Sequence, residues 1–146
     1  MEQMKKSITI LMADDDPDDR FITKEAFKEA GLINDLRFVE DGEELMNYLY
    51  QRDKYSDAGN APRPGLILLD LNMPKKDGRE ALREIKADES LRRIPVVVLT
   101  TSKEEEDIIR AYDLGSNSYI TKPVSFNSLL ITLKALANYW LQIVQL

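Results

Sequence analysis

Leu66-Ile67-Leu68-Leu69 is an unbroken apolar run, launched by Pro64-Gly65 and stopped abruptly by a carboxylate, Asp70. The run does not alternate, so it reads as a strand buried on both faces, the inner strand of a parallel sheet. Leu71-Asn72-Met73-Pro74 follows as a loop with a proline stop, and then a helix begins. Asp70 is thereby placed at the carboxyl end of an inner strand, where open α/β sheets put their chemistry. An aspartate there also serves simply to turn a loop, so its meaning depends on what the other strand ends bring to it.

Four further runs read as strands: Ser7 to Ala13, Leu36 to Glu40, Pro95 to Leu99, and Asn117 to Thr121. Helices alternate with them. Pro17 opens the first, which runs to about Ala30 with Phe21, Ile22, Ala26 and Phe27 on its buried side and Gly31 as its stop. Asp16 occupies the N-cap position, and Asp18 and Asp19 favour the positive end of the helix dipole. These three acids read as structural, which leaves Asp14 and Asp15 to be explained. Asp41 caps the second helix with Glu44 in a capping box, ahead of Leu45, Met46, Leu49 and Tyr50. Residues from about Gln51 to Pro64 read as a long surface loop inside the domain. Asp77 caps a third helix carrying Ala81, Leu82 and Ile85, and Ser102 with Glu105 forms another capping box, for a helix ending near Leu114-Gly115.

A final helix starts near Ser125. Its apolar stripe is Phe126, Leu129, Leu130, Leu133, Leu136, Ala137, Trp140, Leu141 and Val144, widened by Ile131 and Ile143. The Tyr139-Trp140-Leu141 end reads equally well as core and as a surface for a partner. Five strands alternating with helices imply one domain over residues 1–146, a doubly wound parallel sheet with right-handed crossovers.

Composition narrows the chemistry. With no histidine, the chain has no imidazole for acid–base work or metal ligation, and carries no phosphohistidine of its own. With no cysteine it has neither disulfides nor a thiol nucleophile, which agrees with a cytoplasmic location. Met1 to Lys6 lead directly into the first strand, so no signal peptide is expected, and no apolar segment is long enough to span a membrane. A net charge of −6 without a basic block argues against nucleic-acid binding.

The strand ends now matter together. Asp14-Asp15 follows the first strand, Asp70 the third, Thr100 the fourth and Lys122 the fifth. In a flavodoxin-like (βα)5 sheet of order 2-1-3-4-5, strands one and three are neighbours at the switch point, where a crevice opens. Three carboxylates gathered there repel one another unless a cation intervenes. A hard divalent ion taking oxygen ligands, Mg²⁺ or Mn²⁺, fits them. With a lysine ammonium and a threonine hydroxyl beside it, a carboxylate is equipped to form an aspartyl phosphate.

On these residues the chain resembles the receiver domain of two-component response regulators over nearly its full length. The matching features are Asp14-Asp15 after the first apolar run, Asp70 in Asp-Leu-Asn-Met-Pro followed by Asp77-Gly78, Thr100 thirty positions beyond Asp70, and Lys122-Pro123 twenty-two beyond Thr100. The resemblance implies that Asp70 accepts phosphate from a sensor histidine kinase. It implies that Asp15 and Asp70 ligate Mg²⁺ directly, with the Asn72 carbonyl as a third ligand and Asp14 acting through water. Lys122 and Thr100 would bind the phosphoryl group, and Tyr119 would turn inward as Thr100 moves. Output would pass through the helix from Glu104, the last strand and the last helix. The long loop and the Tyr139-Trp140-Leu141 end are also similar to the single-domain regulators paired with phytochromes, which implies homodimerisation through the last strand and helix. The expected role is a stand-alone phosphoacceptor with a downstream protein target. The main alternative is a phosphatase of the haloacid dehalogenase type, which needs a second acid where this chain has Asn72 and a nucleophile after the first strand. A flavin carrier fits less well, because the acids repel a flavin phosphate. A phosphorylation-independent adaptor would not require the complete acid, threonine and lysine set.

Overall fold

Successive residues of a strand point to opposite sides of its sheet, and the apolar runs of this chain feed two cores by that alternation. The computed structural model describes residues 8–32, 34–101, 105–123 and 125–138. Strands β1 (Thr9–Ala13), β2 (Asp35–Val39), β3 (Pro64–Leu69), β4 (Val96–Thr100) and β5 (Ser118–Thr121) form one parallel sheet in the order β2-β1-β3-β4-β5. Helices α1 (Pro17–Glu29), α2 (Gly42–Leu49), α3 (Gly78–Ala87), α4 (Glu105–Asp113) and α5 (Phe126–Ala137) follow the strands in turn. This is the doubly wound α/β fold expected from the sequence.

Leu11, Ala13, Ile67, Leu69, Val96 and Val98 pack under α2, α3 and α4 with Leu45, Met46, Leu82, Ile85 and Ala111. The alternate residues Ile10, Met12, Leu66, Leu68, Val97 and Leu99 pack under α1 and α5 with Ala26, Phe27, Leu129 and Leu133. Every residue of β1 and β4 is buried, whereas the outer strands β2 and β5 are mostly half-buried. Non-alternating apolar runs therefore mark the inner strands, as burial on both faces requires.

Two helix starts follow the caps read from sequence, at Asp16 and Asp77, and Ser125, read only as lying near the start of the last helix, caps it as well. Asp16 accepts from the Asp18 N–H at 2.9 Å, Asp77 from the Arg79 N–H at 2.7 Å, and Ser125 Oγ from the Ser128 N–H at 3.1 Å. The fourth start differs in part. Asp41 accepts from the Glu44 N–H at 2.7 Å, but the Glu44 carboxylate passes its own cap and accepts from the Glu40 N–H at 2.7 Å. Its other oxygen takes the Tyr55 hydroxyl at 2.6 Å and Lys54 at 2.8 Å, so Glu44 ties the long loop to the start of α2. That loop is ordered by two short 3-10 turns, Asp53–Tyr55 and Ala58–Asn60, and by a Tyr48 hydroxyl donating to the Pro62 carbonyl at 2.8 Å.

Three apolar residues depart from the expected faces. Phe21 is 64% exposed, Ile22 is also exposed, and Ile131 is 68% exposed. For Phe21 and Ile131 the reason is helical phase. At about 100° per residue, Phe21 lies about 200° from Thr23, which is buried with Ala26 and Phe27; Ile131 lies as far from the buried Leu129. Phe126 opens α5 and is exposed as well. The expected cap at Ser102, together with Tyr139, Trp140, Leu141, Ile143 and Val144, lies outside the described residues. Among the described residues, no helix is long and apolar enough to cross a membrane.

Candidate functional site

The backbone ladder runs one residue beyond the strands and brings the functional side chains to a common edge. The Asp14 N–H donates to Val39 O and the Asp70 N–H to Ala13 O, both at 3.0 Å, while the Lys122 N–H donates to Thr100 O at 2.7 Å. Asp14, Asp70, Thr100 and Lys122 thus stand on four adjacent strand ends, fixed by the sheet rather than by loops.

Their side chains converge. Thr100 Oγ1 donates to Asp70 Oδ1 at 2.9 Å, and the Asn72 N–H reaches the same oxygen at 3.1 Å. Lys122 Nζ donates to Asp70 Oδ2 at 3.0 Å, to Asp14 Oδ2 at 2.7 Å and to Asp19 Oδ2 at 2.7 Å. Asp14 is wholly buried, at 0% exposure, and its second oxygen accepts from the Asp16 N–H at 2.9 Å. Asp15 is exposed at the rim. One carboxylate oxygen from each of Asp14, Asp15 and Asp70 lies within 4.8 Å of the others, a spacing that a single ion can bridge.

The electrostatics follow from burial and charge count. Burial pushes the Asp14 carboxyl above the usual aspartate range, against the pull of the Lys122 ammonium and the Asp16 N–H. Burial also opposes the charge on Lys122, but Asp14, Asp19 and Asp70 outweigh it and raise the ammonium above the ordinary lysine range. Four carboxylates around one ammonium leave the pocket anionic. An all-oxygen donor set with that excess of charge fits a hard divalent cation. The residues present therefore suit Mg²⁺ or Mn²⁺, with Asp15 open to solvent for entry.

Two contributors escape a reading by strand ends. Asp19, expected to serve the helix dipole alone, bonds Lys122. Arg20 donates to the Asp14 carbonyl at 2.7 Å and pairs with Glu40 at 3.3 Å, bracing the acidic loop from α1. The available signal was the cap itself: with Asp16 as N-cap, Asp19 and Arg20 fall one turn into the helix, beside the same sheet edge. Asn72 is exposed, with its backbone turned onto Asp70. Tyr119 is half-buried on β5, packed against the core beneath α2, α3 and α4. Tyr139, Trp140 and Leu141 lie outside the described residues.

Comparison with known proteins gives a consistent picture. The chain is 44% identical over 137 residues to the response regulator Rcp1 of Synechocystis sp., covering 94% of this chain and 91% of that one. The crystal structure of the Mn²⁺-bound form of Rcp1 superposes with a TM-score of 0.86 at 43% identity, covering 95% of this chain and 98% of its own. The phosphorylated cyanobacterial phytochrome response regulator RcpA gives a TM-score of 0.88 at 44% identity, with 95% and 97% covered. Residues 10–134, which carry all of the sheet but Thr9 and each of the converging side chains, match the family model described as the response regulator receiver domain, and to that family the chain belongs.

Proposed function

We propose that Asp70 accepts a phosphoryl group from a phosphohistidine of a sensor histidine kinase, and that the phosphorylated chain acts by binding a protein. The observation that carries this reading is the convergence on Asp70 of Thr100, Lys122 and the Asp14-Asp15 pair. An Asp70 carboxylate oxygen attacks phosphorus, the P–N bond breaks, and its electron pair leaves on the imidazole nitrogen of the donor. Thr100 and Asn72 orient the carboxylate through Oδ1, while Lys122 stands ready for a phosphoryl oxygen. Asp15 and Asp70 would hold Mg²⁺, or Mn²⁺, with the Asn72 carbonyl as a further ligand and Asp14 through water. Bound there, the cation neutralises charge on the transferring phosphoryl oxygens.

Phosphorylation draws Thr100 towards the new oxygens, and Tyr119 moves into the space it leaves. The output surface is α4, β5 and α5, where homodimerisation would also occur, and Tyr139, Trp140 and Leu141, which follow in sequence, are further contacts of this proposal. The likeness to RcpA, a phytochrome response regulator, supports a phytochrome-type kinase as the donor. A groove of about 390 Å³ between α1 and α5, lined by Ile22, Phe126 and Leu129, opens beside Lys122 and Asp19. Its continuity with Lys122 supports its use as the surface that a protein donor covers on reaching Asp70.

Incubation with Mg²⁺ and acetyl phosphate should add one phosphoryl group, seen by intact-mass spectrometry, and Asp70→Asn should abolish it. Equal labelling of that variant would refute the assignment. Asp15→Ala should weaken Mg²⁺ binding at least tenfold by calorimetry; an unchanged titration removes Asp15 from the ligand set. Trp140→Ala should reduce self-association or kinase binding more than stability, and a monomeric wild type with no partner footprint there rejects that surface.

A further inference from the structure

We propose that Asp19 is an exchangeable counter-ion that governs how readily Lys122 turns to the phosphoryl group, an inference that rests on the phosphoacceptor role given above. A lysine ammonium has three N–H donors. In this structure each is spent on a different carboxylate: Asp14, Asp19 and Asp70. A phosphoryl group on Asp70 adds strong acceptors and negative charge beside that ammonium. The donor now on Asp70 can pass to that group directly; for Lys122 to bond it with a second N–H, Asp14 or Asp19 must give up its donor.

The three differ in their freedom to do so. Asp14 is buried, its other oxygen is tied to the Asp16 N–H and its carbonyl to Arg20, so release would strand a buried charge. Asp70 carries the transferred group itself. Asp19 has a side chain 34% exposed and stands in the first turn of α1, where water and the helix N-terminus stabilise its charge once it swings out. Its exposed neighbour Asp18 accepts none of the three donors. Asp19 is thus a positioning residue. It holds the ammonium at the site before transfer, competes with the phosphoryl group during it, and lowers the local potential that an anionic donor meets.

Phosphorylation of Asp19→Asn by acetyl phosphate with Mg²⁺, followed by intact mass against time, tests this directly. Loss of one partly exposed ion pair predicts labelling about twofold to fivefold faster than wild type. Asp19→Ser, a second neutral variant, should behave alike, and Asp19→Glu should restore the wild-type rate. Asp18→Asn removes the same charge from the same turn and should change the rate by less than half as much. A merely structural Asp19 would lower the melting temperature without speeding the reaction. Labelling of the neutral variants at or below the wild-type rate overturns the inference, as does equal acceleration by Asp18→Asn. A wild type that is not labelled on Asp70 instead overturns the phosphoacceptor role on which it stands.

Discussion

Gly78 packs directly against the backbone of Asp70, the proposed phosphoacceptor. A Cβ at this position would fall inside the contact distance of the Asp70 carbonyl oxygen and 2.6 Å from Leu71 Cα. Non-bonded carbons rest about 3.5–4.0 Å apart, so Gly78→Ala must drive the start of α3 from the end of β3 by roughly an ångström. Both obstructing groups are backbone and cannot rotate away. The Gly78 N–H bond to Leu71 O, now 2.9 Å, would be stretched out of range, a loss of about 1 kcal/mol. Overpacking adds about 1–3 kcal/mol, and the better helix propensity of alanine returns about 0.5–1 kcal/mol. The net destabilisation is about 1–3.5 kcal/mol, or roughly 2–14 °C in Tm for a chain of this size. The same shift moves the turn that presents the Asn72 N–H to Asp70, so labelling by acetyl phosphate should slow at a temperature where the variant is still folded. Gly31→Ala is the control. Gly31 has φ +74 with nothing within 4 Å of its missing Cβ, so it carries only the left-handed backbone cost of about 1–2 kcal/mol. Urea and thermal melts of both variants, with labelling rates, decide the matter. Gly78→Ala no less stable than Gly31→Ala, with an unchanged labelling rate, would refute the close-contact argument.

Mg²⁺ at a hundredfold excess over its dissociation constant should stabilise the fold by about 2.7 kcal/mol, read as a Tm rise of about 5–10 °C that EDTA removes and Asp15→Ala abolishes. Tyr48 is buried with its hydroxyl on the Pro62 carbonyl, and burial raises its pKa from 10.0 to about 12. A folded pKa above the unfolded one means that this stabilisation is complete below pH 10 and is lost between about pH 10 and 12; urea midpoints of Tyr48→Phe should fall less steeply across that window than those of wild type. Tyr55→Phe breaks the 2.6 Å bond to Glu44 and should cost about 1 kcal/mol, with faster amide exchange across residues 51–63 as the specific sign that the loop has been untied.

The sheet was legible because its inner strands carry apolar runs too uniform for anything exposed, and because Asp16, Asp41, Asp77 and Ser125 sit where helices need a capping oxygen. What failed was the placement of single apolar residues on helix faces. Phe21 and Ile131 are large and apolar, yet each lies opposite the stripe that packs, and phase outweighs hydrophobicity once the neighbouring Thr23 or Leu129 has fixed the buried side. Glu44 shows a related limit. A cap sequence specifies which oxygen is near the helix start, but the competing donor, Tyr55, arrives from a loop whose course no local pattern encodes.

The site divides along the same line. Parallel strands end at one edge of a sheet whatever the details of packing, so Asp14, Asp70, Thr100 and Lys122 could be assembled from their positions after apolar runs. Asp19 was not, because its bond to Lys122 depends on the rotation of α1 about its axis, for which the cap at Asp16 was the one local signal. That difference bears on the chemistry. Residues set by strand ends have their backbone fixed by the sheet and suit the groups that must reach phosphorus from set positions. A residue set by the first turn of a half-exposed helix can swing towards water, and so suits a charge that must let go. The separation between what the sequence revealed and what required coordinates therefore coincides with the separation between the fixed and the exchangeable parts of the site.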